Sequence, residues 1–482
     1  MKKNINILMK SMIALLFIFG VSCQKLEENP KGMSTSSNFY TTPEQCEAAF
    51  TASMNSIFNT WGNYNANVFG LFPDGQYDGA SLDYGADYTA ELWRIHYNAI
   101  TNINAVLKAV KAGNLKSSTQ DVIDGIAAQA RYLRAFNYFT LVRMYGRIPF
   151  ITEDTPDPVV TALTPESKVD ISVMYDNLEK DLLFAIEHLA DYDEATPAKP
   201  CLWTAKSLLA KVYLTRATAP LNETSYYAKA RDMADDVIVN GPYELLPDFR
   251  DVFKSSNKNN REMIISFQIT DDDPNMDGAA WAPSEWGGWS GGPVKPAWAE
   301  AYPDQPRKEN YILMNFSSDL SDPEAPIINY TESIDGVPYM GKYNMPNITL
   351  DEQLGISRAN HSVMRFADVL LIYAEAANMA NNGPTQLSVD RLNMIIDRAN
   401  EETGTEPRAN ISMTAAQFDQ KVIDERNYEL CFEYDRIFDV FRKRILKEVN
   451  LPDNAEGYQE TDYLFPIPTF DATFIGNNPG YE

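Results

Sequence analysis

Cysteine and histidine are scarce in this 482-residue chain, with four and three copies respectively. Neither a Cys-x-x-Cys nor a His-Glu-x-x-His occurs. Cys46, Cys201 and Cys431 are far apart and have no histidine beside them, which argues against a zinc or redox centre. Cys201 and Cys431 sit in apolar contexts that look helical and are expected to be small core residues; a disulfide stays open. Basic residues are also in deficit, 41 Lys and Arg against 67 Asp and Glu, for a formal charge of −26. Such a chain repels polyanions, so nucleic acid, heparin-like glycans and pectin are poor partners, and a neutral or cationic ligand fits better. The apolar run Met12–Phe19 is too short to cross a bilayer.

Apolar residues make up 44% of the chain and aromatics 12%, ample for a large core and too much chain for one small domain. At 22% charged residues, the composition is globular rather than disordered. Residues 1–22 combine a basic start, Met1–Lys3, with the short apolar run and form a signal peptide. Gly20-Val-Ser-Cys23 follows and matches a bacterial lipobox, except that Gly20 stands where leucine is usual. The expectation is cleavage before Cys23 and its acylation, with palmitate as one acyl chain; the alternative is ordinary secretory cleavage after Ser22. Residues 23–42 are polar and suit a flexible tether.

Helical periodicity then predominates. Thr42 as N-cap and Pro43 at the first helical position open a helix over Pro43–Asn59. Trp61–Tyr88 is rich in Gly, Asn, Asp and Tyr and is expected to be an irregular loop. Helices are predicted over Glu91–Val110, with Trp93 on its core face, and over Asp121–Tyr145, capped by Gly146 and stopped by Pro149. Further helices cover Tyr175–Leu189, Thr204–Arg216 and Tyr226–Val239. Ala210, Tyr213, Ala230 and Pro242 match positions of a tetratricopeptide unit, and successive helix pairs make a stack of helical hairpins, an architecture that docks protein partners. Arg261–Ile269 contains a strand. Residues 270–355 have little helical period and form a long Pro/Gly-punctuated excursion of the kind that carries function. Helices resume at Met364–Ala380 and Val389–Ala399. The last is Asp424–Arg442, with an apolar stripe of Leu430, Tyr434, Phe438 and Phe441. Glu425, Glu429, Glu433, Arg436, Asp439 and Arg442 follow at steps of three or four, so ion pairs along one helix face are expected.

Asp424–Arg442, Tyr463–Pro468 (Tyr-Leu-Phe-Pro-Ile-Pro) and Asn477–Tyr481 (Asn-Asn-Pro-Gly-Tyr) together resemble the C-terminal signature of the SusD/RagB family of surface lipoproteins. Arg131–Pro149 and Arg365–Ala376 resemble further family blocks, so the likeness spans nearly all of the mature chain. It implies a mainly α fold, a tetratricopeptide-like helical-hairpin stack with long irregular loops and a few short β-strands. The implied divisions are 1–22, signal peptide; 23–42, tether; 43–260, N-terminal helical-repeat region; and 261–482, C-terminal region carrying the 270–355 excursion. The acidic tract Gln24–Glu28 resembles a surface-export signal of lipoproteins from this family's hosts. The family further implies an outer-membrane, extracellular location through Cys23 and a SusC-like TonB-dependent transporter as partner. Glycan capture would be coupled to import by lid-like motion over the barrel mouth.

Four of the seven tryptophans fall in Trp281–Trp298, a Gly/Pro-rich stretch that no helical or strand core face explains. Exposed indoles are platforms for the C–H faces of pyranose rings, and glycines admit close backbone approach. Trp286 and Trp289 lead the ligand-binding candidates, with Trp281 beside them and Trp298 expected to be buried. From the early loop come Trp61, Tyr64, Tyr77, Tyr84 and Asp74, with Asp78 and Asp83, whose carboxylates suit sugar hydroxyls. In the family, the glycan site is built from an early loop plus mid-chain excursions. The alternative is that the tryptophans anchor the loop in a small core of its own.

Catalytic patterns are poor. Gly288-Trp-Ser-Gly-Gly292 matches a nucleophile elbow but lacks the strand before and the helix after, and only His361 lies downstream as a base. Asp273–Gly278 matches half an EF-hand, but the twelfth position is Ser284 where a bidentate Glu belongs; a solvated acidic turn over Asp271–Asp277 accounts for the acids. No catalytic residue, cofactor or metal is assigned. Two other functions stay open, a peptide-binding member of the same family and a surface glycoside hydrolase, whose carboxylate pair would be set by spatial separation.

Overall fold

Thr42 caps the first helix as its position predicts: its Oγ1 accepts from the Gln45 N–H at 3.4 Å, and the Thr41 N–H donates to Gln45 Oε1 at 2.9 Å. The computed structural model describes residues 39–62, 86–269, 282–290, 293–343, 359–433, 435–449 and 460–479. Tyr40–Glu482 forms one compact unit. The signal peptide, Cys23 and most of the tether lie outside the described residues, as do Asp271–Asp277.

Helix α1 spans Pro43–Gly62 and buries Cys46, Phe50, Ile57 and Trp61, which recur at helical spacing. Helices α2 (Ala86–Lys111) and α3 (Gln120–Tyr145) follow, then α4 (Ile171–His188), α5 (Leu202–Arg216) and α6 (Tyr226–Asn240). Trp93 is a core residue of α2. Gly146 ends α3 with φ 68°, and its N–H donates to the Val142 carbonyl at 3.0 Å. Each helix packs on the next in sequence, from α1 through to α6. The series is a stack of hairpins, consecutive helices lying side by side. Ala210, Ala230 and Ala234 are fully buried where α5 and α6 meet.

Strand β1 (Met263–Phe267) breaks the helical series, as its β-branched run predicts. Beyond it come two six-residue helices, α7 (Pro296–Ala301) and α8 (Pro306–Tyr311), and four short strands. β2 (Ile312–Leu313) pairs antiparallel with β5 (Tyr339–Met340), and β3 (Asn315–Ser317) with β4 (Ile327–Asn329). Leu313, Phe316, Tyr330 and Tyr339 close a second, smaller core there. β6 (His361–Arg365) pairs antiparallel with β1, so Met364 and Arg365, expected in a helix, belong to a strand. Helix α9 (Phe366–Asn381) resumes the stack against α6, and α10 (Gln386–Asn400) and α11 (Ala415–Glu429) pack on α9.

The helix expected over Asp424–Arg442 is two helices. α11 stops at Glu429, and α12 (Arg436–Lys443) starts after a turn in which Phe432 has φ 64°. The cause is remote in sequence. Lys342 Nζ donates to the carbonyls of Glu429 at 2.8 Å and Cys431 at 2.9 Å, oxygens that a continuing helix would use internally. The expected ion pairs along one helix face are also corrected. Asp439 pairs within the stretch, with Arg442 and Arg426, but Glu425, Glu429 and Glu433 meet cations from elsewhere. Arg365 reaches Glu262 and Glu429, both at 2.6 Å, and Glu433 at 2.8 Å. Arg398 reaches Glu262 at 2.6 Å and Glu429 at 2.7 Å. Arg307 holds Glu425 at 2.7 Å and also contacts Glu429. These side chains are almost wholly buried, so the charges are paired because neither sign tolerates isolation in the core.

Cys46, Cys201 and Cys431 are free thiols in the core. Cys201 precedes α5 as its N-cap and Cys431 sits in the turn after α11, so neither is in the helical context expected of it. No helix among the described residues is long and apolar enough to cross a membrane.

Candidate functional site

The tryptophan-rich stretch folds back on itself over residues 282–290. Ser284–Trp286 makes a single helical turn, and Gly287 leaves it with φ 76°. The Gly288 N–H donates to the Pro283 carbonyl at 3.0 Å and the Ser290 N–H to the Ala282 carbonyl at 3.2 Å. A Cβ on Gly288 would lie 2.2 Å from the Ala282 carbonyl oxygen, so only glycine permits this closure.

The closed loop separates its tryptophans. Trp286 turns inward: its Nε1 donates to the Ser317 carbonyl at 2.8 Å and its ring meets Phe316 edge-on at 5.8 Å. It anchors the loop on the small core, the alternative that the sequence leaves open. Trp289 turns outward and is 57% exposed. Trp298 is half-buried against Tyr302 and Phe432. Trp61, expected in an exposed loop, is the penultimate residue of α1 and only 3% exposed. Its Nε1 donates to His96 at 3.3 Å and its ring meets Phe267 edge-on, so it is a core residue and not a surface platform. Trp281, Tyr64, Tyr77, Tyr84 and Asp74 lie outside the described residues.

Polar groups gather next to Trp289. Ser290, held at φ 50°, donates from Oγ to Asp335 Oδ2 at 2.6 Å and lies 2.9 Å from Ser284 Oγ. Tyr339 OH also donates to Asp335. Hydrogen bonds from Ser290 and Tyr339 hold the Asp335 carboxyl below its ordinary value and therefore ionised. The Ile334 N–H donates to Glu285 Oε1 at 2.6 Å, and the Ile334 side chain is 75% exposed. Trp289 and Ile334 thus leave the surface beside two residues that bond each other, Ser290 and Asp335. An exposed indole next to oriented carboxylates offers a flat apolar face and acceptors for hydroxyls. Sequence reasoning missed Glu285, Ile334 and Asp335; the available signal was an isoleucine inside the Ser333–Gly336 turn.

Ser290 is no activated nucleophile in this setting. Its hydroxyl bonds Ser284 and Asp335, while His361 is buried in β6, stacked on Tyr343 with ring centroids 4.5 Å apart.

A second convergence concerns the ends of three segments. Phe58 and Trp61, at the end of α1, pack on Phe267 at 5.1 Å and 5.5 Å. Phe58 and Tyr343 pack on His361 at 5.5 Å and 4.5 Å. The described positions leading into residues 63–85, 270–281 and 344–358 therefore share one end of the β1–β6 ribbon.

A family model described as "SusD family" matches residues 321–471, and one described as "Starch-binding associating with outer membrane" matches residues 12–214. SusD-like protein P2 of Formosa agariphila is 28% identical, over 98% of this chain and 99% of its own length. A SusD superfamily protein from Parabacteroides distasonis superposes with a TM-score of 0.75 at 24% identity, covering 90% of this chain and 99% of that one. A laminarin-binding SusD-like protein superposes with a TM-score of 0.70 at 21% identity, covering 92% of this chain and 100% of its own.

Proposed function

Because this chain belongs to the SusD/RagB family, we propose that it captures oligo- or polysaccharide at the cell surface and delivers it to a partner TonB-dependent outer-membrane transporter. The observation that carries the glycan reading is the exposed Trp289 ring beside Ser290, Asp335 and Glu285. A laminarin-binding relative of the same fold supports it. A net charge of −26 favours a neutral glycan over a polyanionic one. The protein acts as a carrier and breaks no bond. The outer-membrane location rests on the family description, and the extracellular anchor is the acylated Cys23.

In this proposal Trp289 is the sugar platform and Trp286 positions it from below. Trp281, Tyr64, Tyr77, Tyr84 and Asp74 are further ligand contacts, on segments that leave from the shared end of the β1–β6 ribbon. The helical stack supplies the face that sits on the transporter.

Trp289→Ala is expected to weaken binding of the preferred neutral oligosaccharide about tenfold, or ~1.4 kcal/mol, while leaving the thermal midpoint unchanged. Calorimetry against a panel of neutral oligosaccharides and peptide mixtures reads this. Unaltered affinity in the variant would place the site elsewhere, and a preference for peptides would replace the glycan reading. Trp286→Ala should lower thermal stability as well as affinity, because it removes the Ser317 hydrogen bond and the Phe316 contact. For the anchor, Cys23→Ala should move the protein from the membrane fraction to the soluble one; continued co-sedimentation with outer membranes would refute acylation at that residue.

A further inference from the structure

We propose that the cavity between α3, α5, α12 and the Tyr463–Leu464 segment is a binding site for a small organic anion, a carboxylate on a one-ring or short branched apolar body. This site is separate from the glycan site and does not depend on it. The cavity has a volume of about 260 Å³ and is walled by Val142, Tyr175, Phe438, Phe441, Tyr463 and Leu464. An engineered apolar cavity of about 150 Å³ holds benzene, so this one has room for a single ring with a carboxylate attached.

The charge of the lining sets the ligand class. Arg143, Arg442 and Arg444 line the cavity, and among the described residues no carboxylate does, in a chain whose net charge is −26. Arg442 is engaged by Glu375 and Asp439 and contributes field rather than a free donor. Arg143 differs. Its guanidinium is sandwiched between the Phe139 and Phe438 rings, at 3.9 Å and 3.5 Å from their centroids. Its Nε donates to the Phe139 carbonyl at 3.2 Å and its Nη1 to Asp435 at 3.3 Å. Its Nη2 makes no hydrogen bond among the described residues. The side chain is nevertheless only 10% exposed.

Asp435 compensates Arg143 poorly, because the same carboxylate also takes Lys211 at 2.7 Å and Arg426 at 3.2 Å. Burial accordingly pulls Arg143 below the ordinary arginine pKa, although Asp435 opposes that shift. A largely buried cation whose Nη2 amino group is unused, lining an apolar cavity, is stabilised by an anion that brings its own apolar surface. A ring fits the walls and a carboxylate meets Nη2; a polar anion such as sulfate would leave the walls unfilled.

Phenylacetate is the probe and phenylacetamide its neutral counterpart, titrated calorimetrically into the full mature chain. Phenylacetate should bind saturably and at least about tenfold more tightly than the amide. Arg143→Met should abolish that preference while retaining weak binding of both; it should fold because Asp435 keeps Lys211 and Arg426. Leu464→Trp, at the cavity wall, should block both ligands with Arg143 intact and the glycan affinity unchanged. The proposal is overturned by any of three results: no saturable phenylacetate binding at millimolar concentration, equal affinity for acid and amide, or undiminished binding in Leu464→Trp.

Discussion

Arg365→Met is expected to destabilise the fold by about 3–5 kcal/mol, because deleting one member of a fully buried ion network leaves its partners uncompensated. Arg365 bridges Glu262 to Glu429 and Glu433, which come from two separate stretches of chain, and its side chain is 0% exposed. Methionine approximates the volume, so the loss reports charge and hydrogen bonding more than a cavity. The readout is the urea midpoint. The folded fraction should keep its glycan affinity, since none of these groups touches the Trp289 face. An exposed pair gives the contrast: Arg408 and Asp397 lie 3.1 Å apart with side chains 64% and 50% exposed, and removing Arg408 should cost less than about 1 kcal/mol. A urea midpoint equally insensitive to both substitutions would show that the network does not hold the scaffold.

Acid is expected to unfold the protein, through the same network. Burial by itself would raise the Glu429 carboxyl, but Arg365, Arg398 and Arg307 outweigh it and hold the group well below its ordinary value. Glu433 and Asp439 are likewise depressed, and Glu375, against Arg442 and Lys443, lies at about 2. Each therefore binds fewer protons in the folded than in the unfolded chain. The stability they contribute is complete above the ordinary carboxylate range and is lost as pH falls from about 4.5 towards about 2. Glu425 runs the other way. Burial raises it to about 8, with Glu406 and Glu429 adding to the rise and Arg307 opposing, and its Oε2 has no hydrogen-bond partner among the described residues. Its contribution is present below its unfolded value and fades as pH rises towards about 8. The urea midpoint should thus fall steeply on the acid side and gently on the alkaline side. Glu425→Gln should flatten the alkaline limb alone. A midpoint constant between pH 3 and pH 6 would contradict the assignment of these carboxylates as ionised and paired.

The two helices that the sequence joins into one show why part of the fold was hidden. Periodicity reports which face of a segment is apolar, and Leu430, Phe438 and Phe441 are indeed buried. It carries no information about Lys342, which arrives from the turn after β5, nearly ninety positions earlier, and takes the carbonyls that would have continued the helix. The same blindness affected the candidate site. Glycine and proline spacing marked residues 282–290 as an irregular loop carrying tryptophans. Which indole faces out depended on Ser317 and Phe316, which receive Trp286 and leave Trp289 exposed. Trp61 failed as a platform for a related reason: α1 runs on to Gly62 and delivers that ring into the core beside His96.

From the amino-acid order alone come the helical segments from Pro43 to Asn240, the strand at Met263–Phe267, the cap at Gly146 and the membership implied by ordered motifs from Arg131 to Tyr481. Each of these rests on information within a few turns of chain, where spacing and capping chemistry act directly. Tertiary structure alone decided where α11 stops, which cation meets which buried carboxylate, and which tryptophan is left to solvent. Those outcomes depend on groups that are remote in sequence and adjacent only after packing, and in a low-dielectric core such contacts override local preference.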